Sequence, residues 1–317
     1  MQADAPKIPA KRKPLRTRRK ALLRNHIANG FLSTLIWLSR RLPYVGRVKF
    51  FGWASAHLIS PLIRVPKAYR AWLSMMFPEM SPERIADIAR GISDNSGRSL
   101  MEMYSGEEFQ SRIRDLPLEG DGVDAIQQAR EDGRPIVFTT AHFGNYNAAR
   151  GALIANGFEI GTLYRPPSNP LLNAQYVKYM GSDGGTLFPR DRKGLSAMVR
   201  HLKSGKPIKV LFDLHVKQGG ELMFFGKPTM TSLSPAELAL RYDALLVPFY
   251  GIRQPDGLSF RVQIDAPIPH STPEAMMQTL NDGLEALVRQ YPEQWFYAHK
   301  RWRRRHQNSA NRGDEIS

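Results

Sequence analysis

His142 is the residue of this chain best placed to move a proton. It comes directly after an apolar, β-branched run, Pro135-Ile-Val-Phe-Thr-Thr140, and Ala141. Gly144, Asn145 and Asn147 follow, with small residues able to start a helix. A strand that ends in a histidine and a glycine turn holds the imidazole on a rigid element, where ligands of α/β sheets bind. A neutral imidazole takes a proton from a hydroxyl near neutral pH. Arg165 lies in a proline-stiffened loop, Tyr164-Arg-Pro-Pro-Ser-Asn-Pro170, and its guanidinium is a bidentate donor suited to phosphate or carboxylate. Asp213 closes another apolar run; it is either an orienting carboxylate behind the histidine or an ordinary turn residue at a strand end. His201 and His215 have no such setting and read as surface residues.

The elements that must position these groups alternate. Strand patterns at 136–140, 160–164, 186–188, 208–212 and 245–250 are separated by helical patterns at 145–156, 171–180, 193–203 and 235–242. A further strand at 259–264 precedes a long helix at 273–290. Gly157, Gly181 and Gly205 each close a helix. This rhythm predicts an α/β fold with a mostly parallel central sheet flanked by helices. Upstream, helical patterns cover 68–77 and then a region starting at the Ser81-Pro82-Glu83 cap and running to about Ile92, with 99–104 continuing it and another helix at 121–132.

The first part of the chain has a different character. Ala28, Phe31, Leu32, Leu35 and Ile36 fall on one helical face, and a second apolar piece, Phe50 to Ile63, carries Trp53 between Arg47, Lys49 and Arg64. Arg40 and Arg41 leave the first run short of the ~20 apolar residues a spanning helix needs. Two aromatic, amphipathic pieces with basic flanks read as segments lying in a membrane interface, the alternative being a pair of core helices. The expected layout is a disordered basic arm at 1–20, a membrane-associated helical segment at 21–66, an α/β domain at 67–306 and a disordered tail at 307–317.

Charge supports that division. The net charge of the 317 residues is +16. Nine basic residues against Asp4 give residues 1–24 a charge of +8, and Lys300, Arg301, Arg303, Arg304 and Arg305 add +5, leaving +3 for everything else. Basic ends suit a polyanion such as nucleic acid, an anionic membrane surface or an acidic protein. The chain has no cysteine, which excludes disulfides, thiol catalysis and cysteine-ligated metals. The basic stretch at the start is too long, and the following apolar run too diluted, for a cleaved signal.

Four motifs occur in order: His142-Phe-Gly-Asn-Tyr-Asn147, the Tyr164–Pro170 loop, Phe224-Phe-Gly-Lys-Pro-Thr229, and Tyr291-Pro-Glu-Gln-Trp-Phe-Tyr-Ala-His-Lys-Arg-Trp302. Together they resemble the bacterial lipid A biosynthesis acyltransferases, the lauroyl and myristoyl transferases, a branch of the lysophospholipid acyltransferases. The resemblance covers roughly Leu22 to Arg305. It implies a membrane-associated N-terminal helix and a catalytic domain on the cytoplasmic side of the inner membrane, with neither metal nor cofactor. It also implies transfer of an acyl group from an acyl carrier protein thioester to a hydroxyl of a lipid A precursor.

On that resemblance His142 is the general base, and Gly144 and Asn145 shape the turn and donate hydrogen bonds to the thioester oxyanion. Arg165 holds a phosphate of the acceptor or of the carrier's phosphopantetheine arm, and Asn169 locks its loop. The family motif places an acidic residue four positions beyond the histidine's neighbour, where this chain has Asn147. An asparagine orients an imidazole but does not neutralise its charge. Three readings follow: another carboxylate, Asp213 or Glu221, serves His142; the enzyme is slow; or the protein has lost catalysis and kept lipid binding. Trp295, Phe296, Tyr297 and Trp302 read as an interfacial anchor or as a packed C-terminal helix. Since the family already accounts for these aromatics, a nucleic-acid partner is not expected, and acylation of another lyso-lipid remains the alternative reaction.

Overall fold

The structure, a computed structural model, describes residues 26–27, 29–30, 33–34, 36–62, 65–296 and 301–302. The expected basic arm at 1–20 and tail at 307–317 lie outside the described residues, as does Tyr297.

Helix α1 (Tyr44–Ala54) continues through a π-helical segment, Ser55–Ile59, to Ser60–Leu62, and α2 (Val65–Met76) follows. The long α3 (Pro82–Ser105) starts where Ser81 Oγ accepts from the Arg84 N–H, with proline at the first helical position. It runs unbroken where the sequence suggests two pieces. Glycines at 91 and 97 weaken the helical signal locally, but the buried face of Ile85, Ile88, Ile92 and Met101 holds the helix in one piece. After α4 (Glu107–Ile113) come β1 (Leu118–Glu119), α5 (Val123–Glu131), β2 (Ile136–Thr140), α6 (Tyr146–Ala155), β3 (Gly161–Tyr164), α7 (Pro170–Met180), β4 (Thr186–Pro189), α8 (Arg192–Lys203) and β5 (Ile208–Leu211). The remaining elements are β6 (Gly220–Phe224), β7 (Lys227–Thr231), α9 (Ser234–Arg241), β8 (Leu245–Arg253), β9 (Phe260–Ile264) and α10 (Pro273–Gln290).

Seven strands form the central sheet in the order β1-β9-β8-β2-β5-β3-β4. From β8 to β4 every pairing is parallel, and β9 joins β8 antiparallel. All five residues of β2 are buried. Its side chains alternate between two cores: Val137 faces a cluster with Leu246, Ala239 and Leu280, while Phe138 packs among Phe158, Phe249 and Leu153. Helices cover both faces, which is why the strands read as continuous apolar runs rather than alternating ones.

The hairpin β6–β7 stands apart from this sheet. Its turn residues, Phe225 and Gly226, have φ of +50° and +64°, the left-handed pair of a tight two-residue hairpin. The sequence motif at 224–229 is therefore a hairpin turn, and it was not legible as strands because Pro228 and Gly226 dilute the β signal.

The N-terminal helices are packed on one side and bare on the other. Val48, Ala54 and Ala56 are buried, whereas Phe50, Trp53, Leu58, Ile59 and Leu62 are exposed, as are Trp37, Leu38 and Leu42 before them. Neither alternative is complete: the segment is core on one face and an apolar surface on the other. Arg47, expected among the basic flanks, is buried instead, bonding to Glu108, Ser105 Oγ and the Leu42 carbonyl. Among the described residues no helix is long and apolar enough to cross a membrane.

Gly144 and Gly251 meet where the loop after β2 passes over β8. Gly144 has φ +53°, and a Cβ there would lie 2.0 Å from the Gly251 carbonyl oxygen. A Cβ at Gly251 would lie 2.2 Å from the Asn145 carbonyl oxygen. Gly251→Ala is expected to destabilise the fold by about 1–3 kcal/mol through overpacking, read as a lowered urea midpoint. An unchanged midpoint would show that this crossing has room the structure does not provide.

Candidate active site

The register of two neighbouring strands builds the site. β2 and β5 pair parallel with Thr140 opposite Leu211, and the Phe212 N–H donates to the Thr140 carbonyl. Two residues past each of these paired positions stand His142 and Asp213, facing each other at the C-terminal edge of the sheet. His142 Nδ1 lies 2.9 Å from Asp213 Oδ1, and the His142 backbone N–H donates to Asp213 Oδ2 at 2.9 Å. A carboxylate only accepts, so Nδ1 carries the proton and Nε2 is the basic nitrogen. The imidazole is partly open while the Asp213 side chain is only 1% exposed.

A third donor completes the carboxylate's shell: Trp295 Nε1–H donates to Asp213 Oδ2 at 3.0 Å. Trp295 is thus buried and part of the site, neither an interfacial anchor nor part of a C-terminal helix. Burial works to raise the Asp213 pKa, but the facing His142 and the three donors outweigh it and hold the carboxyl below its ordinary value. Arg301, counted by sequence with the basic cluster, is also buried. It donates to the Leu214 and Phe212 carbonyls, Thr231 Oγ1 and Asn281 Oδ1, fixing the segment that carries Asp213. Burial lowers its pKa to about 10.

The turn after His142 is held by a second buried pair. Arg253 Nη1 lies 2.5 Å from Glu102 Oε1, and Asn145 Nδ2 donates to Glu102 Oε2 at 2.7 Å. Asn145 Oδ1 in turn accepts the N–H groups of Asn147 and Ala148, capping α6. Ser99 Oγ joins Arg253 to the Gly144 carbonyl. Behind the site, Tyr146 meets the His142 ring edge-on, and buried Lys209 places Nζ 4.2 Å from the Tyr146 ring centroid. Burial pulls the Lys209 amine well below its ordinary pKa, and Arg150 adds to the effect.

His142 opens into a groove of about 250 Å³ between α3, the loop 142–147, Tyr176 and residues 293–296. Ile92, Leu100, Met103 and Phe296 make much of it apolar, and among the described residues its lining includes no lysine or arginine.

The site residues expected from sequence divide accordingly. His142 and Asp213 come together, and Asp213 rather than Glu221 is the carboxylate on the imidazole; Glu221 sits exposed on β6. Asn147 lines the groove beside His142, but its buried Oδ1 has no hydrogen-bond partner among the described residues. The expectation that Gly144 and Asn145 donate to an oxyanion does not hold. Their N–H groups are engaged by the Gln294 and Gly251 carbonyls, each at 2.8 Å. Asn169 locks its loop as the cap of α7, accepting from the Leu171 N–H. Arg165 is exposed and outside the groove; Tyr164 stacks on Tyr176 instead. His201 lies half-buried at the surface, against Phe188 and the Glu159 carbonyl. Sequence reasoning missed Glu102 and Arg253 altogether and took Arg301 only as part of a basic cluster.

A carboxylate-oriented histidine at the edge of a parallel sheet, open to a groove with apolar walls, is an arrangement suited to general-base chemistry. Residues 17–304 match the family described as bacterial lipid A biosynthesis acyltransferase, and the chain belongs to that family of acyltransferases. It is 26% identical over 288 residues to a phosphatidylinositol mannoside acyltransferase of Mycolicibacterium smegmatis, covering 84% of this chain and 95% of that one. It is 24% identical over 284 residues to the lipid A biosynthesis lauroyltransferase of Escherichia coli, covering 88% and 92%.

An Asp213 pKa lower in the folded than in the unfolded chain ties stability to pH. Its contribution is complete above the unfolded value of about 4 and is lost as pH falls toward the folded one. The wild-type melting temperature is expected to fall more steeply below about pH 4 than that of Asp213→Asn, whose amide does not titrate. Parallel curves would remove the carboxylate from this account.

Proposed function

We propose that this acyltransferase moves an acyl chain from an acyl carrier protein thioester to a hydroxyl of a lipid A precursor. The observation that carries the reaction is the His142–Asp213 pair opening on a groove with apolar walls. His142 Nε2 removes the acceptor hydroxyl's proton as the oxygen attacks the thioester carbon. Asp213 stabilises the imidazolium that forms. When the intermediate collapses the carbon–sulfur bond breaks, and the imidazolium returns its proton to the departing thiolate.

Two surfaces support the choice of partners. Arg165, Arg190, Arg192 and Lys193 are exposed at the C-terminal ends of β3 and β4, the sheet edge that also carries His142. Their side chains make no ion pair among the described residues, which leaves them to an acidic carrier or a lipid phosphate. The apolar face of the N-terminal helices suits an anionic membrane surface, with the catalytic domain on the cytoplasmic side of the inner membrane. Leu100 is exposed and also lines the groove, and α3, which carries it, packs against α1. The Mycolicibacterium relative is named for a mannosylated phospholipid, which keeps a second acceptor class in view.

The test is acyl transfer by purified protein, with carrier thioesters as donors and a panel of lipid A precursors and lyso-phospholipids as acceptors. Wild type is expected to be active, His142→Ala inactive and Asp213→Asn slower by about 10²–10⁴-fold in kcat. Joint replacement of Arg190, Arg192 and Lys193 by glutamate should raise KM for the carrier and flatten its salt dependence. Transfer only to lyso-phospholipids would move the acceptor assignment. Wild type no faster than His142→Ala would leave a lipid-binding protein without this catalysis.

A further inference from the structure

The groove poses a problem for any acyl transfer within it. Attack on a thioester places an electron pair on the carbonyl oxygen, and that oxyanion needs a hydrogen-bond donor. The Gly144 and Asn145 N–H groups already bond to carbonyls. Most other lining side chains are committed too, the Tyr146 and Tyr176 hydroxyls excepted. Asn95 Nδ2 donates to the Glu293 carbonyl, Ser96 Oγ to Ile92, Ser99 Oγ to Gly144, and Trp295 Nε1 to Asp213. Asn145 and Gln294 are held by Glu102 and by the Arg253 backbone. Among the described residues no lysine or arginine lines the groove.

Asn147 is different. It occupies the second position of α6, lines the groove with His142, and has a buried Oδ1 without a hydrogen-bond partner among the described residues. Its Nδ2 likewise donates to none of them. An amide whose two ends are both unclaimed takes its orientation from whatever occupies the groove. Because Asp213 already orients His142, this position does not need the carboxylate that the motif resemblance places there.

From this geometry we infer that Asn147 is a further catalytic residue, whose Nδ2–H donates to the thioester carbonyl oxygen as it becomes an oxyanion. The inference rests on the acyl-transfer reading above. The carbonyl π electrons move to oxygen as the acceptor oxygen bonds to carbon, and Asn147 stabilises that charge. They return when the carbon–sulfur bond breaks and the thiolate takes the proton from His142 Nε2. A neutral donor suits this place; a carboxylate would repel the developing charge.

The isosteric variant Asn147→Asp separates this role from the older one by sign. It should lower kcat at least as far as Asn147→Ala, which should lose about 10²–10³-fold with KM for the carrier thioester little changed. Asn147→Ser, which keeps a shorter donor, should recover part of the loss. Slow hydrolysis of the carrier thioester without lipid acceptor should show the same order, since it passes through the same oxyanion, and melting temperatures should stay close to wild type. A gain of activity in Asn147→Asp would overturn the inference and return the position to supporting the imidazole. So would a rise in KM alone, or a loss matched by unfolding. If wild type neither transfers nor hydrolyses faster than His142→Ala, the acyl-transfer reading itself fails and takes this inference with it. If hydrolysis follows the expected order but no lipid acceptor works, Asn147 keeps its role and only the acceptor is wrong.

Discussion

The carboxylate of Asp213 is the contact on which the site depends. It accepts from the His142 backbone, pairs with the His142 ring and accepts from Trp295, so one buried side chain joins segments far apart in sequence. Burying an anion is costly unless donors surround it. Here one of the donors is the imidazole itself, so satisfying the charge and orienting the proposed base have one solution. The same economy appears at Glu102, where a buried anion paired with Arg253 also holds the Asn145 amide that caps α6.

Most of the sheet was legible in the sequence. The residues 136–140, 208–212 and 245–250 are mostly apolar runs, broken by Lys209, of the length a doubly covered strand requires, and glycines punctuate the helices between them. Local signals sufficed because these strands and helices are locally consistent. His142 was legible for the same reason, since it closes a strand and opens a turn. Asp213 could only be left open between two roles. Its pairing follows from strand order, β5 lying next to β2, and order across a sheet is set by crossover connections that no local window contains.

What sequence pattern misread were charged and aromatic side chains whose fate depends on distant partners. Arg47 and Arg301 belong to basic runs, and Trp295 to an aromatic one, so local pattern alone gives none of them its partner. Each is buried because a complementary group waits for it: Glu108 for Arg47, four oxygen atoms around Arg301, and Asp213 for Trp295. Gly144 was read for its turn, and its φ of +53° agrees. Its N–H was assigned to a ligand only because the short 3-10 turn ending at Gln294, which takes it, lies 150 residues on in sequence.

Trp295 follows Asp213 by 82 residues, and the segment bearing Arg301 comes later still. A chain emerging from the ribosome presents His142 and Asp213 long before either of these residues exists outside the tunnel. Until then the carboxylate lacks its third donor and its loop lacks the guanidinium that pins it. Competence therefore arrives only with the segment that carries Trp295 and Arg301, and a nascent or prematurely ended chain carries the His142–Asp213 pair without the means to aim it.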